Sequence, residues 1–298
     1  MPELRIEGSL AAWRTLNPDA TEANITGRSD LTDADFIHLK GIKTLYMSSC
    51  TGITDAAFVH LTGIHTLHMR WCEQITDAAF VHLKGIHTLN MSDCDQATIT
   101  DAAFAHLKGI HTLEMERCKQ KTITDAAFMH LKGIHTLYIA FCNQTTITDA
   151  TFVHLKGIHT LYMEYCNQIT DAAFVNLKGI NTLYMDGCYQ ITDAAFVHLK
   201  GIHALYMSDC DKITDAAFAH LKGIHTLRMD MSNKITDDAF AHLKGIETLK
   251  LHSCNEFIIS TFHHLNEIKN LEIYNDDDEA DGDSREEDSE DEELCGPG

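Results

Sequence analysis

The spacing of apolar residues changes from three to two within each stretch of about twenty residues, and this predicts a short helix followed by a short strand. In the segment 53–63, Phe58 and Leu61 are three residues apart, so they share one face of a helix. Directly afterwards, Leu67 and Met69 alternate with polar residues, which is the period of a strand. The polar positions between them point away from the core.

Polar residues mark both ends of the predicted helix. Thr54 and Asp55 form a start signal, because a hydroxyl can cap free N–H groups and a carboxylate suits the positive end of a helix. Most copies end in Lys-Gly, which places a cation in the last turn and then a stop. A helix of about two turns is too short to be stable by itself.

This helix-plus-strand unit is repeated along most of the chain. Its Ile/Leu-Thr-Asp triplet begins at residues 31, 53, 75, 99, 123, 147, 169, 191, 213 and 235. The spacing is 22 residues except at three intervals of 24. There, the pairs Ala97-Thr98, Lys121-Thr122 and Thr145-Thr146 lengthen the loop before the isoleucine. A last, degraded copy begins at Phe257.

A unit of this size cannot enclose its own core, so neighbouring copies must bury their apolar residues against each other. The sequence therefore predicts an α/β solenoid. We expect a parallel concave β-sheet of about 11 strands, with short helices on the convex side.

The strand segment carries the spacing of a known repeat. Ile42, Leu45, Met47 and Cys50 follow the pattern L-x-x-L-x-L-x-x-C, which resembles the leucine-rich repeat. With Thr-Asp opening the next segment, the chain is similar to the cysteine-containing subtype found in F-box ligase substrate receptors. The resemblance covers about residues 23–274, and it implies a leucine-rich-repeat horseshoe.

The chain departs from that subtype in two respects. Its repeats are shorter, and no F-box is evident before the first strand-like segment at residues 23–25. The segment 9–16 either echoes the last helix of such a domain or is a short helix that caps the first repeat.

Charge divides the chain into a body and a tail. The net charge is −21, and the segment 276–293 alone carries thirteen acids and one arginine. We predict an N-terminal cap at 1–22, a solenoid at 23–275 and a disordered acidic tail at 276–298. The acidic balance argues against direct nucleic-acid binding and for basic or neutral partners.

Several classes of protein are not indicated by the sequence. No run of 18 apolar residues predicts a membrane span, and no secretory leader is visible, so we expect a cytoplasmic or nuclear location. No phosphate loop, nucleophile elbow or zinc-protease helix is found, so we predict no enzyme activity and no cofactor. The oligomeric state cannot be read from these patterns.

Nine of the ten cysteines occupy one repeat position, where Ser232 stands in the copy that lacks cysteine. A position shared by Cys and Ser predicts a small buried group with a weak hydrogen bond, not a metal ligand. We expect reduced thiols. These cysteines are Cys50, Cys72, Cys94, Cys118, Cys142, Cys166, Cys188, Cys210 and Cys254.

Seventeen of the twenty histidines fall in two columns, one in the helix and one just before the strand. Asn176 and Asn181 replace histidine in one repeat, and no thiol or carboxylate completes a ligand pattern, so no metal site is predicted. We expect a surface hydrogen-bonding ladder, and a protein whose stability falls as the pH drops through about 6. The column before the strand holds His65, His87, His111, His135, His159, His203 and His225.

The outward positions of the strands vary between copies, while the helix is nearly constant. Four consecutive copies carry tyrosine at the central outward position, and acids border them. Exposed neighbouring aromatics are typical of recognition surfaces. The predicted partner-binding residues are Tyr138, Phe141, Tyr162, Glu164, Tyr165, Tyr184, Asp186, Tyr206, Asp209, Arg228 and Asp230.

The pattern favours a non-catalytic scaffold that binds a protein or peptide carrying basic residues, through cation–π and ionic contacts. One alternative, implied by the resemblance, is a substrate adaptor of a ubiquitin-ligase complex. Another is a structural subunit or a histone-binding acidic protein. A further alternative is a solvent-exposed face that binds nothing, because its residues would be weakly constrained and would also vary between copies.

Overall fold

A computed structural model describes residues 5–230, 234–252, 263–264, 268 and 270–274. These residues form one parallel sheet of twelve strands, ordered along the sheet as they are along the chain. The strands β1 to β12 are Glu22–Asn24, Thr44–Tyr46, Thr66–His68, Thr88–Asn90, Thr112–Glu114, Thr136–Tyr138, Thr160–Tyr162, Thr182–Tyr184, Ala204–Tyr206, Thr226–Asp230, Thr248–His252 and Asn270–Tyr274. The α/β solenoid is confirmed, with one strand more than the approximate count.

Each strand of β2 to β11 is reached from a short helical segment, and each such segment follows a threonine whose backbone is extended. The hydroxyl of Thr54, for example, accepts a hydrogen bond from the N–H of Ala56 at 3.3 Å. The predicted threonine caps are therefore correct. The helical segments are Leu10–Leu16, Asp33–Leu39, Asp55–Leu61, Asp77–Phe80 with Val81–Leu83, Asp101–Phe104, Asp125–Phe128 with Met129–Leu131, Asp149–His154, Asp171–Phe174, Asp193–Phe196, Asp215–Phe218 and Asp237–Phe240 with Ala241–Leu243.

We call one helical segment with the strand that follows it a coil. Neighbouring coils pair in the same register throughout, so equivalent residues lie side by side, as Tyr162 and Tyr184 do. Strand leucines such as Leu161 are fully buried, and helix phenylalanines such as Phe174 are too. The core is thus one continuous cluster that runs the length of the solenoid.

The solenoid curves with its sheet on the concave side. Ring centroids of successive helix phenylalanines lie 6.2 Å apart for Phe104 and Phe128, and 6.0 Å apart for Phe218 and Phe240. On the sheet side, the rings of Tyr184 and Tyr206 are only 3.9 Å apart. Coils that are closer on the sheet side than on the helix side generate the expected horseshoe.

The aspartate of the triplet has a second role, beyond the predicted helix start. The carboxylate of Asp171 accepts hydrogen bonds from both the N–H and the hydroxyl of Thr192, in the next coil. Nine such pairs follow one another from Asp33 to Thr236. The series connects the starts of successive helices, which explains why the triplet is repeated so faithfully.

The two-residue insertions lengthen one loop, as predicted, and they also bind the preceding coil. The carbonyl of Thr122 accepts a hydrogen bond from the N–H of Asp101 at 3.2 Å, and its hydroxyl donates to the carbonyl of Ile99 at 2.7 Å. Thr98 and Thr146 make the equivalent contacts.

The eight cysteines from Cys50 to Cys210 carry free thiols, and all but the half-buried Cys210 are buried. Each thiol donates a hydrogen bond to the carbonyl of a residue that directly follows a strand, as Cys72 does to Met47 at 3.3 Å. Burial raises the pKa of the Cys94 thiol to about 12, which keeps it neutral. The remaining two cysteines, Cys254 and Cys295, lie outside the described residues, as does Ser232.

The histidines before the strands lie side by side on successive coils, and most of their rings stack. The imidazoles of His65, His87, His111, His135 and His159 stack at centroid distances of 4.4 to 4.6 Å. The Nδ1 atom of each lies 3.0 to 3.2 Å from the hydroxyl of the threonine that follows it. We call these five residues the histidine stack.

The N-terminal helix covers the open end of the solenoid. Leu10 in the helix Leu10–Leu16 is buried, and the guanidinium of Arg14 donates to the carbonyl of His38 at 2.7 Å. The predicted acidic tail at 276–298 lies outside the described residues. Among the helices that the structure describes, none has the length and apolar character needed to cross a bilayer.

Candidate functional site

Four tyrosines form a continuous stack on the concave face of strands β6 to β9. Their ring centroids are 3.9 Å apart for Tyr138 and Tyr162, 4.0 Å for Tyr162 and Tyr184, and 3.9 Å for Tyr184 and Tyr206. The planes of adjacent rings differ by 8 to 13°. We call these four residues the tyrosine row. They stack because the strands pair in register and all carry tyrosine at the same position.

Stacking determines which part of each ring a partner can touch. The inner rings, Tyr162 and Tyr184, each have a neighbour on both faces, so their edges and hydroxyls are the accessible parts. Burial and hydrogen bonding with the hydroxyls of Tyr206 and Tyr162 raise the pKa of Tyr184, so its phenol is neutral. These two inner rings therefore offer hydroxyl donors and acceptors, and they do not offer the open faces that a cation–π contact needs.

A second aromatic row borders the first at the carboxyl ends of the strands. The rings of Phe141 and Tyr165 stack at 4.6 Å, and the guanidinium of Arg117 lies 4.9 Å from the Phe141 ring centroid. We call these three residues the rim row. All three adopt a left-handed backbone conformation, with φ between 56 and 59°. This turn directs the chain from the strand into the next loop.

Gly187 completes the rim row without a side chain. Its φ is +64°, and a Cβ at this position would lie 2.5 Å from the ring of Tyr165. The ring therefore occupies the space where the next residue of the row would be. The role of Gly187 and that of Arg117 were not predicted from the sequence, although both residues stand at positions that vary between copies.

Two carboxylates lie between the two rows, two residues after the ends of strands β7 and β8. Glu164 is 7% exposed and Asp186 is half-buried. Asp186 accepts a hydrogen bond from the N–H of Ser208 at 2.6 Å. Burial raises the pKa of Asp186, although that hydrogen bond and the charge of Arg228 oppose the shift. Asp186 thus already lies within reach of one positive charge, that of Arg228.

The remaining predicted residues lie at the side of the row nearer the C-terminus. Arg228 on strand β10 pairs in register with Tyr206 on strand β9. Asp230 lies two residues after Arg228, at the end of β10. The N–H of Asp209 donates to the carboxylate of Asp230 at 3.1 Å. The structure thus places all eleven predicted residues on strands β6 to β10 or the turns that follow them.

Metal-ligating side chains do not converge in the part of the chain that the structure describes. No group of three or more His, Cys, Asp or Glu side chains there could hold a metal ion. The stacked imidazoles lie parallel, so they do not converge on one point.

Comparison with known proteins identifies the repeat. The chain matches the family model described as "BspA type Leucine rich repeat region" over residues 31–159, 73–203 and 190–280. No curated protein matches the sequence. Leucine-rich repeats indicate a protein-interaction scaffold, and such scaffolds are generally non-catalytic.

Solved structures with a similar fold have low sequence identity. A chain of the Rad7 and Elc1 complex in yeast has a TM-score of 0.59 and 15% identity, over 86% of this chain and 76% of that one. A chain of the TLR13–ssRNA13 complex has a TM-score of 0.61 and 18% identity, over 82% and 38%. A chain of the Toll–Spatzle complex from Drosophila has a TM-score of 0.54 and 14% identity, over 85% and 40%.

These likenesses show the fold alone, and the chain spans about two fifths of the length of the TLR13 and Toll chains. The family model, in contrast, covers most of the sequence and agrees with the repeat spacing and the twelve-stranded sheet. The chain belongs to the BspA-type leucine-rich repeat family.

Proposed function

We propose that the concave face of strands β6 to β10 binds an extended protein segment carrying lysine or arginine. The observation that carries this proposal is the tyrosine row itself, because four stacked aromatic side chains on an open face bury area at low entropic cost when a partner covers them. The stack is already ordered in the absence of a partner, so binding does not have to order it.

The charge of the concave face indicates which side chains its partner would carry. Between Tyr138 and Asp209, the outward strand positions carry the acids Glu164, Asp186 and Asp209 and neither lysine nor arginine. A basic side chain would therefore approach the carboxylates between the two rows, where the low exposure strengthens an ionic contact. Its contacts with the inner tyrosines, Tyr162 and Tyr184, would involve ring edges and hydroxyls instead of the cation–π contact expected from the sequence.

The test is affinity purification from cells with mass spectrometry, using the full chain and the double variant Tyr162→Ala with Tyr184→Ala. Partners of the concave face should be retained by the first and lost by the second. Val175→Ala serves as the matched control, because Val175 directly follows the convex helix Asp171–Phe174 and is 56% exposed. Unchanged partners in the double variant, with an unchanged melting temperature, would overturn the proposal.

A second candidate is a substrate adaptor in a ligase assembly, favoured only by the likeness in fold to a chain of the Rad7 and Elc1 complex. In the same purification, this candidate requires a Skp1-like or Elc1-like protein among the partners. A third candidate, binding of basic proteins such as histones through residues 276–298, requires that deletion of this segment abolish binding. Binding that survives the deletion and fails in the tyrosine double variant supports the concave face instead.

A further inference from the structure

One edge of the solenoid carries a row of lysines, and the concave-face proposal does not use it. In eight consecutive coils, a lysine lies between the helical segment and the strand, directly before a glycine whose φ lies between 83 and 90°. The repeated backbone conformation places all eight at the edge where the strands begin. We call them the lysine edge: Lys84, Lys108, Lys132, Lys156, Lys178, Lys200, Lys222 and Lys244.

These side chains are available for a ligand. All eight are exposed, and none of them forms an ion pair with a described residue. Three residues after each of these lysines the chain carries histidine in six coils, asparagine in one and an acid, Glu247, in one. Glu247 is paired with His225 at 2.8 Å. The edge is therefore a continuous positive surface on a chain whose net charge is −21.

Eight like charges side by side repel one another, and an anionic ligand that spans several coils would relieve the repulsion. The required ligand is long and rich in negative charge. This chain contains such a segment, because residues 276–293 hold thirteen acids and one arginine. Their net charge of −12 is large enough to neutralise the whole edge.

We propose that the lysine edge binds residues 276–293 of the same chain. The segment follows β12, which ends at Tyr274, so it leaves the solenoid beside the coil that carries Lys244. It leaves at the carboxyl end of the strand, whereas the lysines lie at the amino ends. The segment therefore first crosses the width of the last strand, about 17 Å.

The length of the segment is sufficient for both parts of this path. Eighteen extended residues reach about 60 Å. Crossing the last strand leaves about 40 Å, and seven intervals of strand spacing give the lysine edge a length of about 35 Å. Attachment to the same molecule also raises the effective concentration to about the millimolar range, which a free acidic partner would seldom reach.

The part of the concave face beside the tyrosine row does not compete for this segment, because Glu164 and Asp186 would repel it. An acidic segment held at the lysine edge would leave the tyrosine row open for a basic partner. The proposal is thus independent of the proposed function, and either can fail without the other.

Zero-length carbodiimide cross-linking of the full chain, followed by peptide mass spectrometry, tests the contact directly. We expect amide bonds between residues 276–293 and Lys200, Lys222 and Lys244, and their yield should fall by about tenfold in about 0.5 M NaCl. Lys119 and Lys212, in the loops after the strands, serve as internal controls and should stay unlinked. A mixture of isotopically light and heavy protein separates contacts within one chain from contacts between chains.

A variant confirms the result by a second measurement. Lys178→Gln, Lys200→Gln, Lys222→Gln and Lys244→Gln together should make residues 276–293 several-fold more sensitive to a glutamate-specific protease, with no change in melting temperature. The matched control changes Lys119, Lys121 and Lys212 to glutamine and should leave the cleavage rate unchanged. Equal cross-linking of both groups of lysines, links only between chains, or equal cleavage of both variants would overturn the proposal. Protection of the lysine edge by added RNA, with no effect of the variants on the segment, would do so too.

Discussion

Asp171 and Thr192 lie in successive coils, and the carboxylate of the first holds both the N–H and the hydroxyl of the second, at 2.8 and 2.6 Å. The same threonine caps its own helix through the N–H of Ala194 at 3.3 Å. Each helix start is thus fixed by its own cap and by the aspartate of the preceding coil. This arrangement transmits order from coil to coil, as repeat proteins require.

Removal of one aspartate should weaken this connection. We expect Asp171→Ala to lower the free energy of unfolding by about 1–3 kcal/mol, since two hydrogen bonds to a charged acceptor are lost. The matched control is Asp238→Ala, because Asp238 also lies in the first helical turn but stands one residue after the triplet aspartate, where the other copies carry alanine. Urea denaturation of both variants measures the difference. An equal loss of unfolding free energy in the two variants would show that the negative charge at the helix start, and not the contact between coils, stabilises the protein.

Thr151 offers a conservative test of the acid dependence of stability. Its hydroxyl donates to Asp125 at 2.5 Å, whereas most other copies carry alanine at this position. Burial alone would raise the pKa of Asp125, but the bonds from Thr151 and Thr148 outweigh it and the pKa is lowered. A lowered pKa contributes stability above the pKa of the unfolded state, about 3.9, and that contribution is lost as the pH falls through the folded value.

Thr151→Ala should therefore bring the pKa of Asp125 back toward its ordinary value and reduce this acid-dependent loss. NMR titration of the Asp125 carboxyl carbon measures the shift, and Thr151→Ser, which keeps the hydroxyl, is the control. A pKa that is unchanged in Thr151→Ala would contradict the assigned cause.

The histidine stack predicts instability in weak acid. Burial and the charges of neighbouring histidines lower the pKa of His87 and of His135. The unfolded chain therefore binds protons more readily, so the stabilising contribution is present above about pH 6.5 and is lost as the pH falls through the lowered values. The melting temperature should decrease between pH 8 and pH 5.

Asn181 supplies the matched variant for that measurement. It stands at the histidine position, and its side-chain oxygen accepts the hydroxyl of Thr182 at 3.0 Å, so it keeps the local hydrogen bond without a titrating ring. We expect His87→Asn with His135→Asn to flatten the pH dependence. An equally steep dependence in the double variant would place its origin outside the stack.

The raised pKa of Asp186 predicts that binding of a basic partner on the concave face is linked to a proton. The arriving cation favours the ionised carboxylate, so affinity should fall as the pH drops through the raised value of the free protein. Isothermal titration across this range would detect the proton release. Asp186→Asn should weaken binding and remove the linkage; pH-dependent binding that persists in this variant would contradict it.

Gly187 allows a steric contact to be separated from backbone strain. Ala at Gly187 would meet the ring of Tyr165 at 2.5 Å, while Ala at Gly179 has a similar positive φ and no neighbour within 4 Å. Both substitutions force alanine into the left-handed region, at a cost of about 1 kcal/mol. Gly187→Ala should be more destabilising in a thermal melt and should shift the Tyr165 ring resonances, whereas Gly179→Ala should not.

The sequence by itself determined the repeat, the order of helix and strand, the parallel sheet and the buried cysteine position. Each of these follows from local signals: a cap, a period of three or two, a glycine stop and a spacing of 22 or 24 residues. Ten copies of the same signals left little room for another fold. The same repetition identified the variable column in which Tyr162 and Tyr184 stand.

Only the tertiary structure decided what those residues present to a partner. The tyrosine rings stack because curvature brings concave positions closer than the helices behind them, and curvature is a property of many coils together. The bond from Asp171 to Thr192, the ring of Tyr165 over Gly187 and the row of lysines along one edge likewise join residues of successive coils. A pattern within one copy fixes the coil, but contacts between copies depend on the angle at which the coils stack, and the packing of the whole core sets that angle.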